Sequence, residues 1–285
     1  MSVQHMPPGS LLDAAAERLR ANEALTSVFF GVLADAAAGR YDGADNVFAA
    51  HVAADGSVDG VGMWTPPWPM AIAHATSPSA ALALLDAAEA RVGARPERVL
   101  LSAADAPDIN RALAAAGLPG YALQSGQGVY ELTEVRAPEG VAGSLREATA
   151  ADLERVAVWT EGFHREALKD EHPNSAAQTR ALAERLVEGG ALKLWEVAGE
   201  PVCMAAARGP TPRGIRISYV YTPPERRRRG YASACVAALS QEQLDAGRAF
   251  CCLFTDLENP TSNHIYQEIG YRRVGEVSVY KVTSA

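Results

Sequence analysis

The stretch that most constrains this chain runs from Ile217 to Ser233. An apolar run, Ile217-Ser218-Tyr219-Val220-Tyr221-Thr222, stops at Pro223-Pro224; Glu225 and four consecutive arginines, Arg226 to Arg229, come next, and Gly230-Tyr231-Ala232-Ser233 opens a segment of helical periodicity. Two prolines in a row remove backbone donors and end a strand. The order is therefore strand, short basic loop, helix N-terminus. The first turn of a helix carries unpaired N–H groups and a partial positive charge, so it can seat an anion. Gly230 and Ala232 allow close backbone approach, and the arginines add charge. The segment predicts a phosphate cradle. It is not an ATP-type P-loop, because no Lys-Ser/Thr follows the glycine, and the glycines of a dinucleotide fingerprint are missing.

The elements around this segment repeat. Leu11–Arg20, Glu23–Ala38, Ser79–Val92 and Ala106–Ala116 read as helices, and Asp45–Ala54, Val58–Trp64, Met70–His74, Arg98–Leu101 and Val129–Thr133 as strands. Residues 136–143, with Pro138, Gly140 and Gly143, read as a linker. Beyond it comes a strand at Ser144–Ala148. A capping box of Thr149 and Asp152 then opens a helix to about Leu168, and a second box, Ser175 with Gln178, opens another. A hairpin over 191–208, a strand over 214–222, a helix over 231–246, a strand over 249–255, a helix over 260–269 and a final strand over 274–282 complete the order. The layout of the first half thus recurs in the second, which points to an old duplication. The expected organisation is a first domain over 1–135, a linker over 136–143 and a second domain over 144–285. Each domain reads as α/β, with helices and strands interspersed along the chain.

Downstream of the arginines lies Asn259-Pro260-Thr261-Ser262-Asn263-His264-Ile265-Tyr266-Gln267-Glu268-Ile269-Gly270-Tyr271. This run and Arg227-Arg228-Arg229-Gly230-Tyr231-Ala232 together resemble the GNAT N-acetyltransferases, whose phosphate loop reads Arg/Gln-x-x-Gly-x-Gly/Ala. The resemblance covers about residues 144–285 and implies an α/β chain of tandem GNAT folds, each a mixed, mostly antiparallel sheet flanked by helices. It implies acetyl-CoA as co-substrate, with no metal. Arg227, Arg228, Arg229, Gly230, Tyr231, Ala232 and Ser233 would hold its pyrophosphate, and Val220, Tyr221 and Thr222 its pantetheine arm. Asn259 and Ser262 would lie along that arm. Tyr266 would stand beside the sulfur as cofactor contact and general acid. The first half has His74-Ala75-Thr76-Ser77-Pro78-Ser79 where the arginine–glycine loop would be, and its later helix has no tyrosine. It resembles a degenerate GNAT domain without a cofactor site.

The implied reaction is direct attack of an amine on the thioester in a ternary complex, with an N–H near Val220 facing the oxyanion and Tyr266 protonating the leaving sulfur. The base is open: the strand over 214–221 has no carboxylate, Glu225 is expected to face solvent, and Glu161, His164 and Glu166 could line the acceptor side. Two other readings are a tandem acetyltransferase like the one that completes mycothiol, and an acetyl-CoA-binding module without catalysis. His51, Trp64 and Trp68 read as packing residues, and His172 and His264 as exposed.

Composition narrows the partners. With 26 Lys and Arg against 34 Asp and Glu, the net charge is −8, which offers no general attraction to nucleic acid or an anionic membrane. No apolar run approaches the roughly 20 residues that span a bilayer. Cys203, Cys235, Cys251 and Cys252 lack metal-site spacing and read as buried thiols, consistent with a reducing cytoplasm. The expected partner is a small-molecule or peptide amine. The sequence carries no signal of oligomeric state.

Overall fold

The computed structural model describes residues 2–41, 43–75, 77–167 and 175–283; His172 lies outside them, as does Leu168 at the expected end of its helix. The chain divides into two compact units, Met1–Val129 with Val274–Ala285, and Tyr130–Arg273.

The first unit holds β1 (Ser2–His5), α1 (Pro8–Arg20), α2 (Ser27–Ala37), β2 (Val47–Val52), β3 (Val58–Trp64), β4 (Met70–Ala73), α3 (Pro78–Val92), β5 (Arg98–Ser102), α4 (Ala106–Ala115) and most of β6 (Tyr121–Leu132). Strands β1 to β4 pair antiparallel in sequence order, and β4 pairs parallel with β5. The final strand of the chain, β12 (Arg272–Val282), pairs antiparallel with β5 from Val277↔Ser102 to Lys281↔Arg98. The division at the C-terminus therefore differs from the expected one: residues 274–282, read as part of the second domain, complete the sheet of the first unit. One face of this sheet packs on α1 and α2 through Leu11, Leu33, Ala50 and Val61; the other packs on α3 and α4 through Val47, Ile72, Leu84 and Leu113.

The second unit holds β7 (Ser144–Glu147), α5 (Leu153–Ala167), α6 (Ala176–Glu188), β8 (Leu192–Val197), β9 (Glu200–Arg208), β10 (Gly214–Tyr221), α7 (Tyr231–Asp245), β11 (Phe250–Asp256) and α8 (Pro260–Ile269). Strands β7 to β10 again pair antiparallel, and β10 again pairs parallel with its neighbour, β11. Both expected capping boxes form, at Thr149/Asp152 and at Ser175/Gln178. Val156, Leu192, Leu194 and Met204 fill the core beneath α5 and α6. Cys203, Val236, Leu253 and Tyr266, with Tyr130 and Leu132 from the end of β6, fill the core beneath α7 and α8. All four cysteines are buried free thiols. No described helix is long and apolar enough to cross a membrane.

Candidate functional site

Strand β10 parts from β11 early. Their parallel pairing runs from Gly214↔Phe250 to Arg216↔Cys252, although β10 continues to Tyr221 and β11 to Asp256. Gly214 is required at the start of this pairing, since a Cβ there would lie 2.3 Å from the Phe250 ring. On its other side β10 pairs with β9, and the register slips between Ser218 and Tyr221. Residues 219 and 220 therefore face Ala205 alone, and Tyr219 takes φ +52°. Such a bulge removes a ladder bond and redirects the strand. A left-handed non-glycine residue of this kind is held by its surroundings. Here they are Phe163 and His164 of α5, with ring centroids 5.1 and 5.9 Å away, and Arg208, whose Nη1 donates to the Tyr219 hydroxyl at 3.3 Å.

The Pro-Pro turn and the arginines follow. Arg226 is spent on Glu200, at 2.6 Å. Arg227 also turns inward: its Nε donates to the Thr222 carbonyl at 2.8 Å and its Nη2 to Glu166 at 2.6 Å. Arg228 and Arg229 are exposed and are engaged by no described residue. Arg228 is left-handed at φ +61° and Gly230 at φ +77°. Gly230 occupies the N-cap of α7 without a side-chain cap, and the first helical bond is Ala234 N–H to the Gly230 carbonyl. Tyr231, Ala232 and Ser233 thus present the uncapped first turn expected of a phosphate cradle, with two free guanidiniums before it.

The remaining expected residues divide between this gap and the core. Val220 packs against the α7 side of the sheet, and Tyr221 is buried on the α5 side with Trp159. The Thr222 hydroxyl is buried without a partner. Asn259 caps α8, its side-chain oxygen accepting from the Ser262 N–H at 3.1 Å. Asn263 lies outside the expected set. Its amide donates to the Asp256 carbonyl at 3.1 Å, tying α8 to the end of β11, and its side-chain oxygen is buried without a partner. Tyr266 is buried edge-on against Tyr271, whose hydroxyl is satisfied by Ser240; no described residue bonds the Tyr266 hydroxyl. Burial, with a smaller effect of Cys203, raises the Tyr266 phenol well above its ordinary value.

Of the candidate bases, Glu161 is exposed, His164 is buried in the aromatic cluster, and Glu166 has both oxygens engaged, one by Arg227 and one by the Tyr221 hydroxyl at 3.3 Å. Burial and Glu166 raise the Tyr221 phenol. Glu225 is exposed, as expected, and so is His264, which pairs with Glu268. In the first unit, Ser77 accepts from the Ala80 N–H at 3.2 Å and caps α3, the helix that follows β4 as α7 follows β10. There His51 Nδ1 pairs with Asp59, and the Trp64 indole donates to the Trp68 carbonyl at 3.0 Å.

Residues 197–280 match the family model of FR47-like proteins. A GCN5-related N-acetyltransferase from Sphaerobacter thermophilus is 16% identical, with a TM-score of 0.66 over 98% of this chain and 94% of that one. An acetyltransferase of the GNAT family from Colwellia psychrerythraea is 10% identical, with a TM-score of 0.62 over 99% and 100%. The chain has the GNAT fold. No curated protein matches it. A GCN5-related N-acetyltransferase from Kribbella flavida shares the GNAT fold at 17% identity and a TM-score of 0.53, over 80% of this chain and 88% of that one.

Proposed function

We propose that this chain transfers an acetyl group from acetyl-CoA to an amine, by direct attack in a ternary complex, in the cytoplasm. The observation that carries this reading is the uncapped N-terminus of α7, set behind two left-handed residues and beside the gap between β10 and β11.

The residues fit acetyl-CoA on two counts. The N–H groups of Tyr231, Ala232 and Ser233, with Arg228 and Arg229, match a pyrophosphate in charge and donor number. The buried, unpartnered Thr222 hydroxyl and Asn263 side-chain oxygen match the amides of a pantetheine arm, since buried polar atoms are seldom left unpaired. Val220 and Thr222 would hold that arm along the free edge of β10, as an added strand is held. When bound, acetyl-CoA supplies a thioester carbonyl open to an amine.

The chain's own residues then do the rest. The bulged backbone at 219–220 breaks the regular register with β9 and would offer an N–H to developing negative charge. Tyr266 keeps its proton throughout the neutral range, as any phenol does, and burial pushes its titration further up, so a donor is present whenever the site is used. The same burial makes it a weaker acid than a free phenol. In the first unit, Ser77 already satisfies the helix end that corresponds to the cradle, which supports a single cofactor site per chain. The acceptor is a small-molecule or peptide amine.

Calorimetric titration with coenzyme A, followed by release of free thiol from acetyl-CoA with a panel of primary amines, tests the reading. Binding with amine-dependent thiol release is expected. Absence of coenzyme A binding would overturn it.

A further inference from the structure

The side of the loop that faces α5 carries a second construction. Gly162, in mid-helix, is there because a Cβ would stand 2.5 Å from the Tyr221 hydroxyl oxygen and 2.6 Å from its Cζ. The missing side chain lets the ring lie directly on the helix backbone. One turn later, Glu166 receives the Tyr221 hydroxyl on one oxygen and Arg227 on the other. The Arg227 guanidinium sits 5.7 Å from the centroid of the Tyr221 ring, and its Nε holds the Thr222 carbonyl. Helix, strand end and loop are thereby tied at one point, with the Nε and Nη2 donors of the part-exposed Arg227 spent on protein.

We propose that Glu166 and Arg227 form a strut that fixes the loop between β10 and α7, so that Arg227 is a positioning residue and only Arg228 and Arg229 meet the pyrophosphate. This rests on the acetyl-CoA reading and differs from what the resemblance implies for Arg227. The chemistry favours it. A guanidinium held by a carboxylate, a carbonyl and an aromatic face loses those contacts if it swings to an anion. A strut at Arg227 also presets the left-handed turn at Arg228 and Gly230 that aims the helix N–H groups, lowering the ordering cost of binding.

The two roles predict different patterns. If Arg227 were a phosphate ligand, Arg227→Ala would weaken coenzyme A binding, while Glu166→Ala would release the arginine and leave affinity equal or better. If it is a strut, each substitution removes the same pair. An ion pair of this exposure then gives roughly fivefold weaker binding in either single variant, and the double variant is no worse than the weaker single. Titration of the full chain with coenzyme A measures this. Additive losses, or a loss confined to Arg227→Ala, would overturn the strut. A second measurement needs no ligand: hydrogen exchange, in the free protein, of the Arg226 and Ala234 amides, which bond the Pro223 and Gly230 carbonyls on either side of the loop. Exchange faster by a similar factor in Glu166→Ala, Arg227→Ala and the double variant is expected, and unchanged exchange in the single variants refutes the proposal. If the unaltered chain binds no coenzyme A, the functional reading fails, and the exchange measurement still decides the strut.

Discussion

Replacing Gly230 by alanine adds one methyl group at the point where the loop becomes a helix. Gly230 lies at φ +77°, and an added Cβ would sit 2.9 Å from a Val141 methyl. The contact is with the end of a small side chain, so it can be relieved by a shift of a few tenths of an ångström. The backbone term cannot, because an L-residue held left-handed costs about 1–2 kcal/mol. If the loop keeps its shape, that cost appears as lost stability, about 2–4 °C in melting temperature per kcal/mol for domains of 150–250 residues. If the loop relaxes instead, the amides of Tyr231 and Ala232 lose their aim, and the same free energy appears as roughly a five- to thirtyfold weaker coenzyme A complex. Calorimetry and thermal melts on Gly230→Ala, with Val141→Ala as a second background, separate the terms. Val141→Ala removes the contact but leaves the φ requirement, so it should rescue little. A variant with unchanged melting temperature and unchanged coenzyme A affinity would refute the assignment of this turn as the cradle.

Four further outcomes are expected. Tyr266→Phe keeps the ring, so coenzyme A affinity should hold while kcat falls roughly 10²–10⁴-fold; turnover near the unaltered rate would mean Tyr266 only packs. Because burial raises Tyr266, any alkaline loss of activity below about pH 10 should persist unchanged in that variant, as a pH–rate profile will show. Calorimetric stoichiometry should be one coenzyme A per chain, and a value of two would restore a site to the first unit. The Asp152 carboxyl is held well below the usual carboxylate range by hydrogen bonds from Arg146 and Thr149. Its contribution is complete above the unfolded pKa near 3.9 and fades as pH falls through that value toward the folded one, so Asp152→Asn should flatten the fall in melting temperature between about pH 5 and 3.

Much of the second unit is legible in its sequence because the signals are local. The two capping boxes are i, i+3 pairs, and the Pro-Pro stop, the arginines and Gly230 lie within one turn of chain. What escapes is set by partners distant in sequence. Strand β1, over Ser2–His5, is short and almost wholly exposed; pairing with Ala49–Val52 makes it a strand. Strand β6 begins at Tyr121 rather than Val129 although Gly126 and Gly128 weaken it, because the sheet supplies its bonds. The tie between Glu166 and Arg227 spans 61 residues, and its only local trace is Gly162 one turn before the glutamate. Asn259 shows the reverse: Asn-Pro-x-Ser already spells a helix cap with proline at the first position, and that cap forms.

The return of β12 to the first unit sets an order of events during synthesis. Residues 2–129 leave the ribosome early, yet the strand that pairs with β5 is made only after the whole second unit. At about 5–20 residues per second, the 98–102 edge waits on the order of ten seconds or more for its partner. An unpaired edge of that kind is a template for the wrong strand. The unit whose synthesis begins first is thus the last to close, and residues 274–282 act as the latch on nearly the first half of the chain.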